Sequence, residues 1–284
     1  MAVKDFPCDL CGSTDAVEVP YARLYTNNQP VYICRTCGFV YVRSRRSAEE
    51  IADSWSKDLF GEAYTARIPA VVARQTYVAD TLDKQLDLRG KQVGDIGAGE
   101  GQFLEIIRER YGARVYGIEP SSANCKTLSS NGIDHFEGSI EAFSDTGSEG
   151  IPNLDIITIM WTLENCMSCR AMLAAAHDAL GNGGHIAIAT GSRLLVPFKK
   201  PLHTYLSENP ADTHSFRWSA NTLRGIMAVS GFETTYINHY LDSDILMVIA
   251  TWRPKGTEIE WEGDDFVAVH DFFDRWHHET VRYR

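Results

Sequence analysis

The sequence predicts an α/β chain: a mostly parallel sheet with helices on both faces, preceded by a small cysteine-bound ribbon. Three observations carry this. First, a strand-like run from Lys91 to Ile96 ends in Gly97-Ala98-Gly99-Glu100-Gly101, and a helical pattern with Phe103, Leu104, Ile106 and Ile107 on one side follows. That strand–glycine turn–helix unit opens nucleotide-binding α/β domains. Second, strand and helix patterns alternate from about residue 91 to 253, as parallel sheets with crossover helices require. Third, Cys8-x-x-Cys11 and Cys34-x-x-Cys37 have the spacing of a tetrahedral Cys₄ metal site.

The 284 residues suffice for one sizeable domain and a small one. With 44% hydrophobic and 23% charged residues, the composition is that of a globular chain. A net charge of −11 argues against general nucleic-acid binding, which wants a basic face. Arg43, Arg45 and Arg46, and separately Lys199-Lys200, are the local basic spots. No stretch approaches the roughly 20 apolar residues of a membrane span, and Met1 to Asp5 has no apolar signal core. A cytoplasmic location is expected. In that reducing setting the seven cysteines read as ligands and core thiols, not disulfides.

Residues 1–46 read as a zinc ribbon. Gly12 and Gly38 follow the second cysteine of each pair, and Val17–Val19, Val31–Ile33 and Phe39–Val42 look like strands. With Cys8, Cys11, Cys34 and Cys37 all supplying sulfur, no coordination position is left open, so the zinc is expected to be structural. Cys125, Cys166 and Cys169 read as core or helix-start thiols. Residues 47–90 form a helical lead-in. Ser47, with acids at 49 and 50, marks a capped start, and Val71, Val72, Val78, Leu82 and Leu86 recur at helical spacing. Tyr64 in this stretch is a candidate to reach over the glycine turn.

The turn itself restricts the ligand. Asp95 and Glu100 flank it, and the glycine spacing is G-x-G-x-G, not the dinucleotide G-x-G-x-x-G. Carboxylates there would repel a diphosphate but suit a cationic, phosphate-free ligand, which points to S-adenosylmethionine. The next strand ends at Glu119, about 20 residues on, where a carboxylate takes the ribose hydroxyls of an adenosine ligand. Gly97, Ala98, Gly99, Gly101 and Pro120 complete the expected lining. Ile133 to Phe136 is a short strand, and Ser139 and Ile140 in the loop after it are candidates for the adenine edge. Leu154 to Met160 is a buried strand ending at Trp161-Thr162-Leu163-Glu164-Asn165, which places Trp161 near the ligand. Gly181 to Gly184 turns a preceding helix into a fifth strand, His185 to Thr190. Residues 191–218 read as an irregular substrate insertion. A helix from Ser219 to Val229 and an antiparallel pair, Phe232–Tyr240 with Ile245–Thr251, close the domain.

Asp95-x-Gly97-x-Gly99-x-Gly101, Glu119 and the closing antiparallel pair resemble the class I S-adenosylmethionine-dependent methyltransferases. That resemblance implies a Rossmann-like seven-stranded sheet with its last strand antiparallel, over residues 91–253. Joined to the ribbon and to Phe60-Gly61-Glu62-Ala63-Tyr64, the order is similar to the zinc-ribbon sugar methyltransferases, including C-methyltransferases of nucleotide-linked keto sugars. Those enzymes carry a further large C-terminal domain, which the 284 residues here do not include. The implied acceptor is a sugar, sugar nucleotide or glycan, methylated at oxygen or carbon. No Asn/Asp-Pro-Pro-Tyr/Phe run, a sign of amino-group methylation, follows Met160.

Methyl transfer to oxygen or carbon needs a base. His214 in the insertion is the first candidate, Glu164 the second, and His203 the third. Residues 254–284 form a tail in which Phe266, Val269, Phe272, Phe273 and Trp276 read as one aromatic helix from about Glu258. Packing on the parent domain is its expected role; covering the active site or pairing two copies as a homodimer are the alternatives. Two further functional readings compete: a ribbon-bearing RNA or protein methyltransferase, and a non-catalytic binding protein on the same fold.

Overall fold

A computed structural model of the chain describes residues 5–47, 50–51, 68–145, 152–197, 200–207, 214–240 and 243–284. Tyr64 and most of the lead-in before residue 68 lie outside the described residues.

The ribbon contributes β1 (Ala16–Glu18), β2 (Tyr32–Cys34) and β3 (Val40–Tyr41), paired antiparallel in sequence order. Beyond it, α1 (Ile68–Leu86) leads to β4 (Gln92–Ile96), α2 (Gln102–Tyr111), β5 (Arg114–Glu119), α3 (Ser122–Ser130), β6 (Asp134–Glu137), α4 (Ile140–Asp145), β7 (Leu154–Met160), α5 (Cys169–Ala179) and β8 (Leu180–Thr190). Then come α6 (Leu202–Leu206), β9 (Phe216–Arg217), α7 (Ala220–Val229), β10 (Phe232–Ile237), β11 (Leu246–Trp252) and α8 (Phe266–Thr280).

Seven strands form one sheet in the order β10-β11-β8-β7-β4-β5-β6. The pairs from β8 through β6 are parallel, and β11 is antiparallel to both neighbours. The expected Rossmann-like α/β sheet is therefore present. β7 is buried at every position but Asp155, as a strand covered by helices on both faces must be. The cysteines at 125, 166 and 169 are buried in the core.

Three local expectations change. β8 begins at Leu180, not His185: Leu180 pairs with Leu154 and His185 with Ile156, so Gly181 to Gly184 loops out as a bulge inside the strand, with Gly183 at φ 84°. The insertion is not wholly irregular. It holds α6, and it holds β9, which adds a fourth strand to the ribbon sheet through Val40↔Arg217 and Tyr41↔Phe216. The tail helix starts at Phe266, capped by Asp265, whose side chain accepts the Ala268 N–H. The segment before it is not helical: Asp264 N–H bonds to Cys37 O at 3.0 Å, and a Cβ on Gly263 would fall 2.5 Å from that same oxygen.

As a result the ribbon, the insertion and the tail share one core. Val19, Tyr25, Ile33, Leu202, Phe273 and Trp276 are packed together. Tyr25 Oη hydrogen-bonds His277 Nδ1 at 2.8 Å, and Trp276 Nε1 donates to Lys200 O at 2.8 Å.

Candidate functional site

At the carboxyl end of β4 the chain turns on three glycines, all in the left-handed region: Gly97 at φ 73°, Gly99 at 56° and Gly101 at 89°. They are not equivalent. A Cβ on Gly97 would lie 2.5 Å from Thr162 Oγ1, and one on Gly101 would lie 2.7 Å from Leu128. Both are bare because protein packs against them. A Cβ on Gly99 would meet nothing within 4 Å, so this is the glycine that faces open space. Its N–H donates to Glu119 Oε2 at 2.9 Å, while Glu119 Oε1 accepts the Ser121 N–H at 2.8 Å. Those bonds hold the Glu119 carboxylate at the turn. A carboxylate has about four lone-pair sites, so acceptor capacity remains.

Asp95 is 2% exposed and accepts the Thr158 hydroxyl at 2.6 Å; the two are register partners on β4 and β7. Burial pushes its carboxyl up to about 7, against the Thr158 hydrogen bond and with the Glu119 charge adding. Ala98 is at the edge of burial and Pro120 is exposed beside Glu119. Ser139 caps α4 by accepting the Ala142 N–H. The Ile140 side chain is buried in the core.

β7 delivers Trp161 at φ 57°, an uncommon conformation for a bulky residue and one found at functional turns. It is held by its N–H to Ala189 O at 2.8 Å and by Asn165 Nδ2 to its own carbonyl at 3.0 Å. Its indole lies 3.8 Å from where a Gly191 Cβ would be. Gly97, Thr162, Trp161 and Gly191 thus meet at the carboxyl ends of β4, β7 and β8, where open α/β sheets bind ligands. The clefts lined by Lys91, Asp155 and His185 and by Arg114, Tyr116 and His135 lie at the opposite end.

Glu164 is 1% exposed, and its Oε2 has no hydrogen-bond partner among the described residues. Burial pushes its carboxyl up to about 7, opposed by hydrogen bonds from the Thr190 hydroxyl and nearby backbone. Thr190 Oγ1 in turn accepts the Ser192 N–H at 3.1 Å, and Ser192 Oγ pairs with His214 Nδ1. The first two base candidates are therefore joined by a polar chain along the end of β8. Burial, with the charges of Arg217 and Lys200 adding, holds the His214 imidazole down to about 3, so it is neutral. His203, on α6, is set against the ribbon, with its ring centroid 6.1 Å from that of Tyr25.

Thr158, Thr190, Ser192, Tyr205 and Arg217 escape sequence reasoning, because each matters through a neighbour distant in the chain. Arg217 alone left a trace, as a cation between two aromatic residues, Phe216 and Trp218.

The four ribbon cysteines fit one metal ion. Their sulfurs all lie within 4.8 Å of one another, with Cys8–Cys37 at 3.6 Å and Cys11–Cys34 at 3.5 Å. Four thiolates about 2.3 Å from a central zinc would stand roughly 3.8 Å apart. Gly12 at φ 77° and Gly38 at φ 66° close the two knuckles. The same geometry uses up the supposed basic patch. Arg45 is locked in a buried ion pair with Asp9 between Cys8 and Cys11, and Arg43 lies 4.4 Å over the Tyr32 ring.

Comparison with known proteins agrees with this geometry. The methyltransferase-domain family matches residues 72–237, more than half of the chain. The chain belongs to that family, and it is an S-adenosylmethionine-dependent methyltransferase. No curated protein matches it in sequence. Among solved structures, it is similar to the Burkholderia thailandensis 1,6-didemethyltoxoflavin-N1-methyltransferase with bound substrate and S-adenosylhomocysteine. There the identity is 16%, with 78% of this chain and 98% of that one covered, and a TM-score of 0.53. It is also similar to the Streptomyces coelicolor A3(2) geranyl diphosphate C-methyltransferase in complex with Mg2+, geranyl diphosphate and S-adenosylhomocysteine. The identity is 13%, coverage 73% and 99%, and the TM-score 0.51. At these identities the likeness is one of fold.

Proposed function

We propose that the protein methylates an oxygen or carbon atom of a small-molecule acceptor, with a sugar, sugar nucleotide or glycan as the acceptor class, and that its ribbon holds a structural zinc. The observation that carries the reading is Glu164: a buried carboxyl with an unpartnered oxygen, poised near pH 7, at the carboxyl end of β7. An amine acceptor can offer its own lone pair, whereas a hydroxyl or carbon acid must lose a proton, and a base tuned to the working pH serves that step. The sugar class rests on the order of ribbon, lead-in and methyltransferase domain in the sequence.

The donor side is assigned to Asp95, Gly97, Ala98, Gly99, Gly101 and Glu119, with Trp161 flanking, and with Pro120, Ser139, Ile140 and Tyr64 as lesser candidates. Bound S-adenosylmethionine supplies a methyl group on an electrophilic sulfonium. Gly99 lets a ligand approach bare backbone, and Glu119 offers acceptor oxygens to ribose hydroxyls. Asp95 places a carboxyl where a cationic ligand favours its charged form. Glu164 takes the acceptor proton on Oε2. His214 ranks below it, because an imidazole held near 3 is a weak base at neutral pH. Arg43 and Arg45 are engaged within the ribbon, which removes the observation that favoured an RNA target.

The test is calorimetric titration with S-adenosylmethionine, followed by methyl-transfer assays on a panel of sugars and sugar nucleotides. Asp95→Ala and Glu119→Ala should each lose donor binding; full binding in both would overturn the donor site. Transfer to amines alone would overturn the acceptor class.

A further inference from the structure

β9 does two jobs because strand side chains alternate. Phe216 and Trp218 both pack on Phe39 of the ribbon, with centroids 5.9 and 4.9 Å away. Arg217, between them, points to the other side. There its guanidinium carbon lies 5.8 Å from the centroid of the Tyr205 ring on α6. The strand is anchored to the catalytic edge: Phe216 N–H donates to Glu164 O at 3.1 Å, and Trp218 N–H to Ser192 O at 2.9 Å. Arg217 is 1% exposed.

A cation so buried normally has a carboxylate beside it, since desolvating an unpaired charge costs several kcal/mol. Among the described residues Arg217 has none. Its Nη1 donates to His214 O at 3.0 Å, and its Nε has no acceptor. Tyr205 Oη is also buried without a partner. A guanidinium and a phenol in contact thus each carry a buried polar atom without a partner among the described residues, on the strand that bonds to Glu164 and three residues from His214. The Nε edge of arginine is the flat fork that matches the two oxygens of a carboxylate.

We propose that Arg217 and Tyr205 form a docking point for an anionic oxygen group, a carboxylate, carried by the methyl acceptor. The proposal rests on the reading that the acceptor lodges at the carboxyl end of β7 and β8. One guanidinium charge balances one carboxylate, and Tyr205 Oη supplies a further hydrogen bond to the same group. Docking would also offset the Arg217 charge that helps hold His214 neutral, so a correctly charged acceptor alters the polarity of the polar chain it meets.

The test uses intact protein with ¹⁵N-labelled arginine, so that the Arg217 Nε–H resonance is followed directly. It is assigned by its absence in Arg217→Lys. S-adenosylhomocysteine is added first, then glucuronate, glucose, acetate or inorganic phosphate in separate titrations. The expected result is a saturable shift with glucuronate and with acetate, none with glucose, and a roughly tenfold weaker response in Tyr205→Phe. A saturable shift on S-adenosylhomocysteine alone would assign Arg217 to the donor's own carboxylate and overturn the proposal. A response to phosphate exceeding that to either carboxylate would also overturn it, in favour of a phosphorylated acceptor. If acetate saturates and glucuronate does not, the carboxylate site stands and the sugar reading falls. No saturable shift with any of the four compounds would sink the docking point while leaving the methyltransferase reading intact.

Discussion

Two buried arginines meet at β9, Arg45 packed on its Phe216 ring and Arg217 within the strand, and they are treated in opposite ways. Arg45 has no exposed side-chain surface and makes four hydrogen bonds. Asp9 takes it with both carboxylate oxygens, at 3.1 and 2.5 Å, and Val42 O and Met167 O accept two further donors at 2.6 and 2.8 Å. The rings of Phe6, Tyr41 and Phe216 surround its guanidinium carbon at 4.7, 5.9 and 4.5 Å. Among the described residues Arg217 has one hydrogen-bond acceptor, the His214 carbonyl. The difference separates a fastener from a receptor. Arg45 ties the Cys8–Cys11 knuckle to the loop between β7 and α5, the loop that carries Glu164. Arg217 lies on the strand that bonds to that loop through Phe216 N–H and Glu164 O, and it is the residue proposed to receive the acceptor's carboxylate.

The comparison can be broken from the fastener side first, where the effects are largest. Stripping zinc from the metal-loaded protein, or Cys8→Ser, should collapse the knuckle that presents Asp9 and lower the melting temperature sharply, because a ribbon this small has little core of its own. An unchanged melting temperature on chelation would show that β9 and α8 support the ribbon without metal. Next, Asp9→Ala leaves Arg45 buried and unpaired and should cost about 3–5 kcal/mol in urea unfolding. Arg217→Met removes a buried charge that has no carboxylate beside it among the described residues, and should leave stability unchanged or raise it by up to about 4 kcal/mol. Equal losses in both would erase the distinction.

Catalysis sharpens the receptor side. Glu164→Gln should cut turnover by about 10²-fold or more at neutral pH while donor affinity stays. In the wild type the rate should rise with pH through about 7 as Glu164 loses its proton, and that limb should vanish in the variant. Wild-type rates in Glu164→Gln would return the role to His214. Stability should run the other way. The Glu164 carboxyl is raised from 4.5 to about 7 on folding, so the folded chain holds a proton that the unfolded chain has released. Its contribution is complete below about 4.5 and is lost as pH climbs through 7, and Asp95, raised from 3.8 to about 7, behaves alike. Denaturation midpoints across that window should fall with pH, and fall less in Glu164→Gln. The smallest effect contrasts two glycines. Gly97→Ala should destabilise by clashing with Thr162, whereas Gly99→Ala should cost only the strain of its φ, on the order of 1 kcal/mol, and act on donor binding instead.

Much of this was legible in advance where the signal is local. Alternation of period two and 3.6 located β4, β5 and β7 to within a residue. The glycine spacing with Asp95 and Glu119 marked the turn, and the paired C-x-x-C runs marked the four sulfurs that the fold brings together. Each depends on neighbours a few residues apart, whose geometry the backbone enforces. Misjudgements came where distant contacts override local pattern. Gly181 to Gly184 reads as a turn but is absorbed as a bulge because Leu180 pairs with Leu154. The tail reads as helix from Glu258, but the helix begins only at Phe266, after Asp264 has bonded to Cys37.

The sequence by itself determined the sheet, the glycine turn and the metal knuckles, since these follow from periodicity, backbone freedom and ligand spacing. Only the tertiary structure decided what the charges do. Arg43, Arg45 and Arg217 are alike as letters. Burial and partners make the first a cation stacked on Tyr32, the second a clasp on Asp9 and the third a buried cation with no carboxylate beside it among the described residues. Desolvation is a property of the packed environment, and no local pattern encodes it.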